Sequence, residues 1–462
     1  MTENRSFAAV VLAAGFGTRM NSDLPKVLHC LGDMSLAERV VRKVSALSPD
    51  RIIVVTGYKA DLVEEELKSR LSDFPTDISF FRQTLLKGSG RAVQEAVGEI
   101  CKSDEVLILC GDAPLFRPRT IAGMYKFFRE GNCDCAVMTA ELEDPASYGR
   151  IIRDEKAGIS AIVEADGAGE EVLAVREVNS GTYFFRTAAL KEAVSGLKPK
   201  GSKGEFYLTD AVENIIAAGG RAEAYKIEDS SEITGINSRA DLAAAYKTLC
   251  LRKAAELMKE GVTITDPSNT YIEESVSIGK DTVVFPEVFI KGNTVIGKNC
   301  KIGPAGVIDS CIIDDNASVK YSCVLEKSHV RSGAAVGPMA RLRPMSDIGE
   351  GAEVGNFAEI KKSVIGKGSK IHHHSYIGDT VMGEKVNIGA GTITCNYDGK
   401  KKNGTVIGDG AFIGSNSNLV APVSIGKAAY TAAGSTITSP VYDGELGIGR
   451  ARQINKVFKR KN

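Results

Sequence analysis

A loop near the N-terminus has the residue types that bind phosphate. Residues 7–12 are apolar throughout and lead into Ala13-Ala14-Gly15-Phe16-Gly17, which are small residues apart from Phe16. Pro25 and Lys26 follow. Small residues let the backbone approach a ligand, exposed amides bind anions, and lysine adds a compact positive charge. Met20 occupies the place of the third glycine in a dinucleotide-binding fingerprint, and the P-loop pattern does not fit either. We interpret the segment as a phosphate-binding turn of another kind.

In the N-terminal half of the chain, the best candidate for a metal ligand is Asp112. It lies in Gly111-Asp112-Ala113-Pro114-Leu115, directly after the apolar residues 106–109. The carboxyl ends of parallel strands are where such sheets bind ligands. An aspartate at a strand end is also common as a helix cap, so the assignment depends on this surrounding motif.

Three consecutive histidines, His372 to His374, offer a base for chemistry near neutral pH, because imidazole has an unperturbed pKa of roughly 6.5. In an extended segment, neighbouring side chains point to opposite sides, so a single metal-binding face of three histidines is not expected. Two other polar segments interrupt the same region, Arg341-Leu342-Arg343-Pro344 and the loop 394–405. Long loops that leave a rigid scaffold tend to carry function.

Sequence patterns predict the structural elements that position these residues. Over residues 1–238, apolar strand-like runs alternate with helical spacing, which predicts a doubly wound α/β domain. Residues 239–261 are rich in Ala, Leu, Lys and Glu and have no Gly or Pro before Gly261, so they predict a helical linker arm.

Residues 262–462 repeat aliphatic side chains at intervals of six, with slips in register. A period of six fits neither an α-helix nor a half-buried strand. It is typical of a parallel β-helix, in which each step points one aliphatic side chain inward and small residues occupy the corners. A β-sandwich fits less well, since its strands recur every 8–12 residues or so. The ladder is Ile278, Val284, Ile290, Ile296, Ile302, Ile308, Val330, Val336, Leu342, Ile348, Val354, Ile360, Ile365, Ile371, Ile377, Ile407, Ile413, Leu419 and Ile425.

Composition limits the possible partners and the compartment. Lys plus Arg and Asp plus Glu both number 58, so no overall basic field indicates nucleic acid. The ten cysteines lack a CxxC pair, which favours a reducing cytosol over a disulfide framework. The apolar run of residues 7–14 is too short for a membrane span and has no basic leader. We expect a soluble, cytoplasmic protein without a membrane partner.

The motif Leu12-Ala13-Ala14-Gly15-x-Gly17-Thr18-Arg19-Met20 with Leu24-Pro25-Lys26 resembles the sugar-1-phosphate nucleotidylyltransferases. With the C-terminal half included, nearly the whole chain resembles the bacterial bifunctional N-acetylglucosamine-1-phosphate uridylyltransferases and glucosamine-1-phosphate N-acetyltransferases. The resemblance implies a left-handed β-helix, a homotrimer with active sites between subunits, Mg²⁺, and UTP and acetyl-CoA as co-substrates. It also implies synthesis of UDP-N-acetylglucosamine by acetyl transfer followed by uridylyl transfer.

In the N-terminal half, the resemblance implies that Arg19 and Lys26 neutralise charge at the α-phosphorus and on pyrophosphate. Asp112 and Asn237 would hold Mg²⁺. The implied nucleotide and sugar contacts are Leu12, Ala13, Ala14, Gly15, Lys26, Gln83, Gly88, Ser89, Gly149, Glu164, Asn179 and Asn237.

In the C-terminal half, the resemblance implies that His373 accepts the amine proton. The implied glucosamine-1-phosphate contacts are Arg343, Lys361, Tyr376, Asn387, Asn396 and Lys402. The implied acetyl-CoA contacts are Ala390, Asn396, Tyr397, Ser415, Ala433 and Arg450. A basic tail, residues 450–462, suits the phosphates of coenzyme A.

Three positions depart from the family pattern: Phe16 replaces a basic residue, Cys110 an aromatic one, and Arg91 a histidine. We expect the changes at Phe16 and Cys110 to alter affinity rather than abolish activity, and the change at Arg91 to be mild. His372 and His374 have no counterpart in the family.

Two alternatives to the bifunctional enzyme stay open: a single-activity pyrophosphorylase whose β-helix serves oligomerisation or regulation, and a scaffold with the same layout. A scaffold does not need the phosphate and metal residues together. A single-activity enzyme does not need His373 with Tyr376, residues 396–397 and Arg450.

Overall fold

The computed structural model describes residues 6–72, 74–155, 157–201 and 204–457. Residues 1–5 of the expected first domain, positions 73, 156, 202 and 203, and the last five residues of the expected tail lie outside the described residues. The chain divides into two compact units, residues 1–248 and 249–462. The division falls inside a helix that spans Arg239–Lys259.

The first unit is built on one nine-stranded sheet with the order β11-β7-β10-β6-β1-β4-β5, to which the β8–β9 pair attaches at β10. Neighbouring strands on the main path are parallel except at β10, which runs antiparallel to β6 and β7. The sheet is therefore mixed. The strands, with the separate pair β2–β3, are β1 (Phe7–Ala13), β2 (Cys30–Leu31), β3 (Met34–Ser35), β4 (Arg51–Thr56), β5 (Ile78–Arg82), β6 (Glu105–Cys110), β7 (Cys135–Glu141), β8 (Arg150–Arg153), β9 (Ile159–Val163), β10 (Glu177–Arg186) and β11 (Ala222–Lys226).

Helices cover both faces of this sheet. The α-helices of the first unit are α1 (Leu36–Ser45), α2 (Ala60–Arg70), α3 (Ser89–Ile100), α4 (Pro118–Gly131), α5 (Glu170–Leu173), α6 (Thr187–Ser195) and α7 (Thr209–Ala217), and α8 (Arg239–Lys259) is the helix that contains the division. Ala9 and Val11 of β1 belong to the core beneath α1, α2 and α4, whereas Ala8 and Val10 belong to the core beneath α3, α6 and α7. Successive strand residues point to opposite faces, so this alternation confirms the doubly wound prediction.

The second unit is a left-handed parallel β-helix with three sides, each a parallel sheet. The first side has the strands Thr263–Ile264, Val283–Val284, Lys301–Ile302, Ser318–Val319, Ala335–Val336, Glu353–Asn356, Lys370–His373, Asn387–Ile388, Phe412–Ile413, Tyr430–Thr431 and Leu446–Gly447. The second side has Tyr271–Ile272, Phe289–Lys291, Val307–Asp309, Val324–Glu326, Arg341–Leu342, Glu359–Lys361, Tyr376–Gly378, Ile393–Cys395, Asn418–Val420 and Thr436–Ile437. The third side has Ser277–Ile278, Val295–Ile296, Ile312–Ile313, His329–Val330, Asp347–Ile348, Val364–Ile365, Thr380–Met382, Thr405–Ile407 and Val423–Ile425.

The predicted ladder is confirmed, because every residue in it is buried, with no exposed fraction above 6%, and lies in one continuous core. At the start of the polar loop, Thr394 points inward, and its hydroxyl accepts a hydrogen bond from the Gly378 amide at 2.7 Å. One detail of the prediction is wrong. The corners also hold large residues such as Met339 and Phe357, because corner side chains point to solvent, where size is unconstrained.

No helix in the described part of the chain is long and apolar enough to cross a bilayer.

Candidate active sites

The loop predicted to bind phosphate lines a cavity of about 280 Å³ at the carboxyl ends of β1 and β6. The cavity brings together predicted residues from four separate stretches of sequence, which the sheet order places side by side. Its lining includes Leu12, Ala13, Ala14, Gly15, Lys26, Gln83, Gly88, Ser89 and Asp112, with Phe16, Cys110 and Glu205 among the others.

Gly17 allows Lys26 to reach this cavity. Its φ of +62° is in the left-handed region, and a Cβ atom there would lie 2.5 Å from the Cβ atom of Lys26. A side chain at position 17 would therefore strain the backbone and displace the lysine.

The Lys26 ammonium contacts the carboxylate of Asp112 and donates to Asn237 Oδ1 at 3.0 Å. The loop that carries Asn237 is fastened to the end of β6, since the Ile236 amide donates to the Asp112 carbonyl at 2.8 Å. Asp241 fixes the same loop by accepting the Asn237 amide at 2.9 Å. Two hard oxygen donors thus converge on a cation, and oxygen ligands of this kind suit Mg²⁺. The residues present fit the metal that the resemblance implies.

Cys110 lies beside Asp112 at the floor of the cavity. Burial raises the pKa of its thiol to about 12, and the Asp112 carboxylate contributes to the rise. A neutral thiol is a poor nucleophile, so Cys110 acts here as a packing residue.

The three predicted sugar residues lie together on β8, β9 and β10 or directly beside them. The Asn179 amide donates to the Gly149 carbonyl at 2.9 Å, and a Cβ atom on Gly149 would lie 3.5 Å from Glu164 Oε2. The pKa of Glu164 is raised, mainly because the carboxyl group is buried. A hydrogen bond that Thr209 donates at 2.9 Å lowers the pKa by less than burial raises it. None of the three lines the cavity described above; Glu164 lines a neighbouring one of about 480 Å³.

Arg19 lies apart from the other predicted residues. It is exposed on the single turn Thr18–Met20 and has no hydrogen bond or ion pair to any residue that the structure describes. Its predicted catalytic role stays a prediction.

In the second unit, the predicted acetyl-CoA residues Ala390, Ser415 and Ala433 form a column along the corner between the first and second sides. Asn396 and Tyr397 of the same predicted set lie elsewhere, in the loop that follows the second-side strand Ile393–Cys395. Backbone bonds link successive corners: Gly391 donates to His373 at 3.3 Å, Asn416 to Ala390 at 2.7 Å and Gly434 to Ser415 at 2.8 Å. At the end of the column, the Arg450 guanidinium donates to the Ala433 carbonyl at 2.9 Å. His373 is exposed at the other end of the column.

The strand that carries the histidines ends at His373, because His374 adopts a φ of +42°. His372 Nε2 lies 3.0 Å from Glu353 Oε2. Within the described ranges, no group of three or more His, Cys, Asp or Glu side chains could hold a metal ion.

Five of the six predicted glucosamine-1-phosphate residues, all except Asn387, gather on the second side and at the corner that follows it. A contact with Lys402 lowers the pKa of Lys361, and partial desolvation and the Arg343 guanidinium lower it further. Arg343 also donates to Glu359 Oε1 at 3.0 Å. Like charges held this close are costly unless an anion joins them, so the cluster has the electrostatics of a phosphate site.

Tyr376 and Asn396 meet above Gly378. The Asn396 side-chain nitrogen lies 3.4 Å from the Tyr376 hydroxyl, and a Cβ atom on Gly378 would lie 2.6 Å from that hydroxyl and 2.8 Å from that nitrogen. The loop that follows folds back on itself through a bridge between Tyr397 and Lys402, which returns Lys402 to Lys361.

Asn387 is not brought to this cluster. It lies on the first side, in register with Lys370 and Phe412, whereas Tyr376 lies on the second. The sequence reasoning also assigned no role to Asp379 or Glu359, although both touch predicted residues. A carboxylate that directly follows the repeat step Tyr376-Ile377-Gly378 was the available signal for Asp379.

Comparisons with known proteins give matches in both halves of the chain. Family models match the MobA-like NTP transferase domain at residues 9–180, the GMPPB C-terminal domain at 324–409 and the six-repeat bacterial transferase hexapeptide at 404–439. A bifunctional protein GlmU of Carboxydothermus hydrogenoformans is 44% identical over 447 residues, covering 97% of this chain and 98% of that protein. The one of Thermotoga petrophila is 46% identical over 448 residues, covering 97% of each chain.

The chain belongs to the bifunctional GlmU family. The match to its members spans both units, so neither half is an unrelated addition. Among solved structures, UDP-glucose pyrophosphorylase complexed with UDP-glucose is similar to 53% of the chain at 20% identity, with a TM-score of 0.43.

Proposed function

We propose that this GlmU family member transfers an acetyl group from acetyl-CoA to glucosamine-1-phosphate and then a uridylyl group from UTP to the N-acetylated product. The observation that carries the proposal is the presence, on one chain, of two separate sites that each place cations beside polar side chains. One holds Lys26 with Asp112 and Asn237; the other holds Lys361 with Lys402 near Tyr376 and Asn396. The free state of all ten cysteines suits the cytoplasm as the place of both reactions.

For uridylyl transfer, an oxygen of the sugar phosphate attacks the α-phosphorus of UTP, and the bond from that phosphorus to pyrophosphate breaks. Lys26, released from Asp112, neutralises charge on the departing phosphates, and Arg19 joins it. Asp112 and Asn237 would hold Mg²⁺, which would supply electrostatic stabilisation and alignment of the phosphates. Gln83, Gly88 and Ser89 hold the nucleotide in the cavity, and no side-chain nucleophile is needed.

For acetyl transfer, the neutral amine of glucosamine-1-phosphate attacks the thioester carbon. A carbon–nitrogen bond forms, the carbon–sulfur bond breaks, and His373 passes the amine proton to the departing sulfur of coenzyme A. Lys361, Lys402 and Arg343 bind the sugar phosphate. The corner column from Ala390 to Ala433 binds acetyl-CoA, with Arg450 toward its phosphates.

We further propose a homotrimer in which the first side of one subunit faces the second side of the next. The support is the separation of Asn387 from Tyr376 on different sides of the coil. Differently tagged Asn387→Ala and Tyr376→Ala chains, one altered on the first side and one on the second, are co-expressed and purified as mixed oligomers to test this arrangement. A shared site regains acetyl transfer in mixed oligomers, whereas a site within one chain gives only the average of the two variants.

The test of the function itself is an assay of the purified protein. UTP, CTP, GTP and ATP are each offered with N-acetylglucosamine-1-phosphate, glucosamine-1-phosphate and glucose-1-phosphate, and pyrophosphate is measured. Thiol release from acetyl-CoA is measured with the same sugar phosphates. Pyrophosphate without any thiol release would favour the single-activity alternative.

A further inference from the structure

The Asp379 carboxylate is a largely buried charged group at the proposed acetyl-transfer site. Its side chain is only 10% exposed. Its Oδ2 atom accepts from the Asn396 side-chain nitrogen at 2.5 Å, whereas its Oδ1 atom lies 3.8 Å from Lys362 Nζ. The carboxylate therefore faces a proposed substrate-binding residue on one side and a surface lysine on the other.

The Asp379 backbone ties together the segments that carry this site. Its amide donates to the Lys361 carbonyl at 3.0 Å, and its carbonyl accepts the Thr405 amide at 3.1 Å. Those bonds fix the start of the phosphate cluster and the end of the loop that carries Asn396 and Lys402. Asp379 adopts a φ of +50°, a conformation that aspartate and asparagine tolerate better than most residues.

The hydrogen bond between Asn396 and the Asp379 carboxylate determines which way the Asn396 side-chain amide points. A carboxylate oxygen only accepts hydrogen bonds, so the amide NH₂ must face Asp379. The second hydrogen of that NH₂ has the Tyr376 hydroxyl as its acceptor, 3.4 Å away. Both amide hydrogens are thus used within the protein, and no other described residue bonds the Asn396 Oδ1 atom.

We propose that Asp379 is a positioning residue that holds the Asn396 Oδ1 atom as a fixed acceptor for the substrate amine. This inference rests on the proposed acetyl transfer. An amine N–H donated to a fixed oxygen orients the nitrogen lone pair toward the thioester carbon, and alignment of this kind contributes strongly to rate. Without Asp379, the amide can turn its NH₂ toward the amine, and a donor then faces a donor.

The experiment is a double-mutant cycle on the full-length protein. Asp379→Gly removes the carboxylate without backbone strain at a positive φ, and Asn396→Ala removes its target. We expect Asp379→Gly to lower kcat for acetyl transfer about 10- to 100-fold. In the Asn396→Ala background we expect it to cost less than about twofold more, because residues that act through one contact are not additive.

Two further variants keep the cycle decisive. Asp379→Asn keeps one acceptor but turns an NH₂ toward Lys362, so we expect a loss of about fivefold that also vanishes in the Asn396→Ala background. If Asp379→Gly fails to assemble, the Asp379→Asn cycle decides in the same way. Lys362→Met removes only the surface ion pair, and we expect activity within about twofold of wild type.

Two results would overturn the inference: losses that multiply in either cycle, or full acetyl transfer by an assembled Asp379→Gly variant. Uridylyl transfer and oligomer mass are measured for every variant. A wild-type protein without acetyl transfer would instead refute the proposed function, so the two failures are distinguishable.

Discussion

The two sites are built in opposite ways. In the first unit, strands from distant parts of the sequence end at one edge of a sheet, so Leu12, Gln83 and Asp112 enclose a single cavity. In the second unit, residues close in sequence are spread along the outside of a coil, on corners and sides that face solvent. A sheet edge concentrates residues, whereas a coil distributes them. The first site is a cavity within one chain, and the second is an open surface that, in our proposal, another subunit completes.

The largest expected effect tests whether the sites work separately. His373→Ala removes the proposed base, and we expect acetyl transfer to fall about 10³-fold, within the range known for general-base loss. Uridylyl transfer should be unchanged, because the corner column lies in the other unit. His374→Ala is the matched control and should keep both activities. Loss of both activities from a folded His373→Ala oligomer would contradict the separation.

The converse change is Asp112→Ala in the cavity. We expect uridylyl transfer to fall about 10²- to 10³-fold, because a proposed metal ligand and a partner of Lys26 are lost together. Acetyl transfer should be retained. Pyrophosphate release is measured across a range of Mg²⁺ concentrations, and the activity of the variant should not recover with more Mg²⁺. Full recovery of activity at high Mg²⁺ would show that Asp112 affects only the affinity for Mg²⁺.

The open site should respond to pH through Lys361. Its pKa is lowered by Lys402, so it loses its proton at a lower pH than an ordinary lysine. The substrate phosphate favours the charged form. The KM for glucosamine-1-phosphate should therefore be constant below the lowered pKa and rise above it, by at most about tenfold per pH unit.

Lys402→Met should shift that rise to higher pH, although the variant has a larger KM at neutral pH because one cation is lost. Lys400→Met, on the exposed side of the same loop, is the control and should leave the profile in place. If the pH dependence of KM in Lys402→Met is the same as in the wild type, Lys402 does not lower the pKa of Lys361.

The smallest expected effect concerns the rim of the cavity. Phe16 is 53% exposed, and its ring centroid lies 5.4 Å from that of Tyr58. Phe16→Lys introduces the positive charge that the resemblance implies at this position. We expect the KM for UTP to fall about two- to fivefold, as suits an exposed charge. Phe16→Ala separates the loss of the ring from the gain of charge. A KM that changes equally in both variants would assign the effect to the ring.

The sequence by itself determined the repeated elements. The six-residue spacing placed every ladder residue in the core of the coil, because inward and outward positions follow from local backbone geometry. The alternation of strands and helices likewise gave the doubly wound unit. It did not reveal the reversed direction of β10, since an apolar strand has the same pattern in either direction.

Only the tertiary structure decided which side chains meet. Lys26 contacts Asp112 and Asn237 across 86 and 211 residues of sequence, and Asp379 meets Asn396 one turn of the coil away. Such pairs depend on strand order, on register slips between turns and on where a loop returns. None of these is encoded in the local spacing of residues, because each is set by packing between segments that the chain brings together only when it folds.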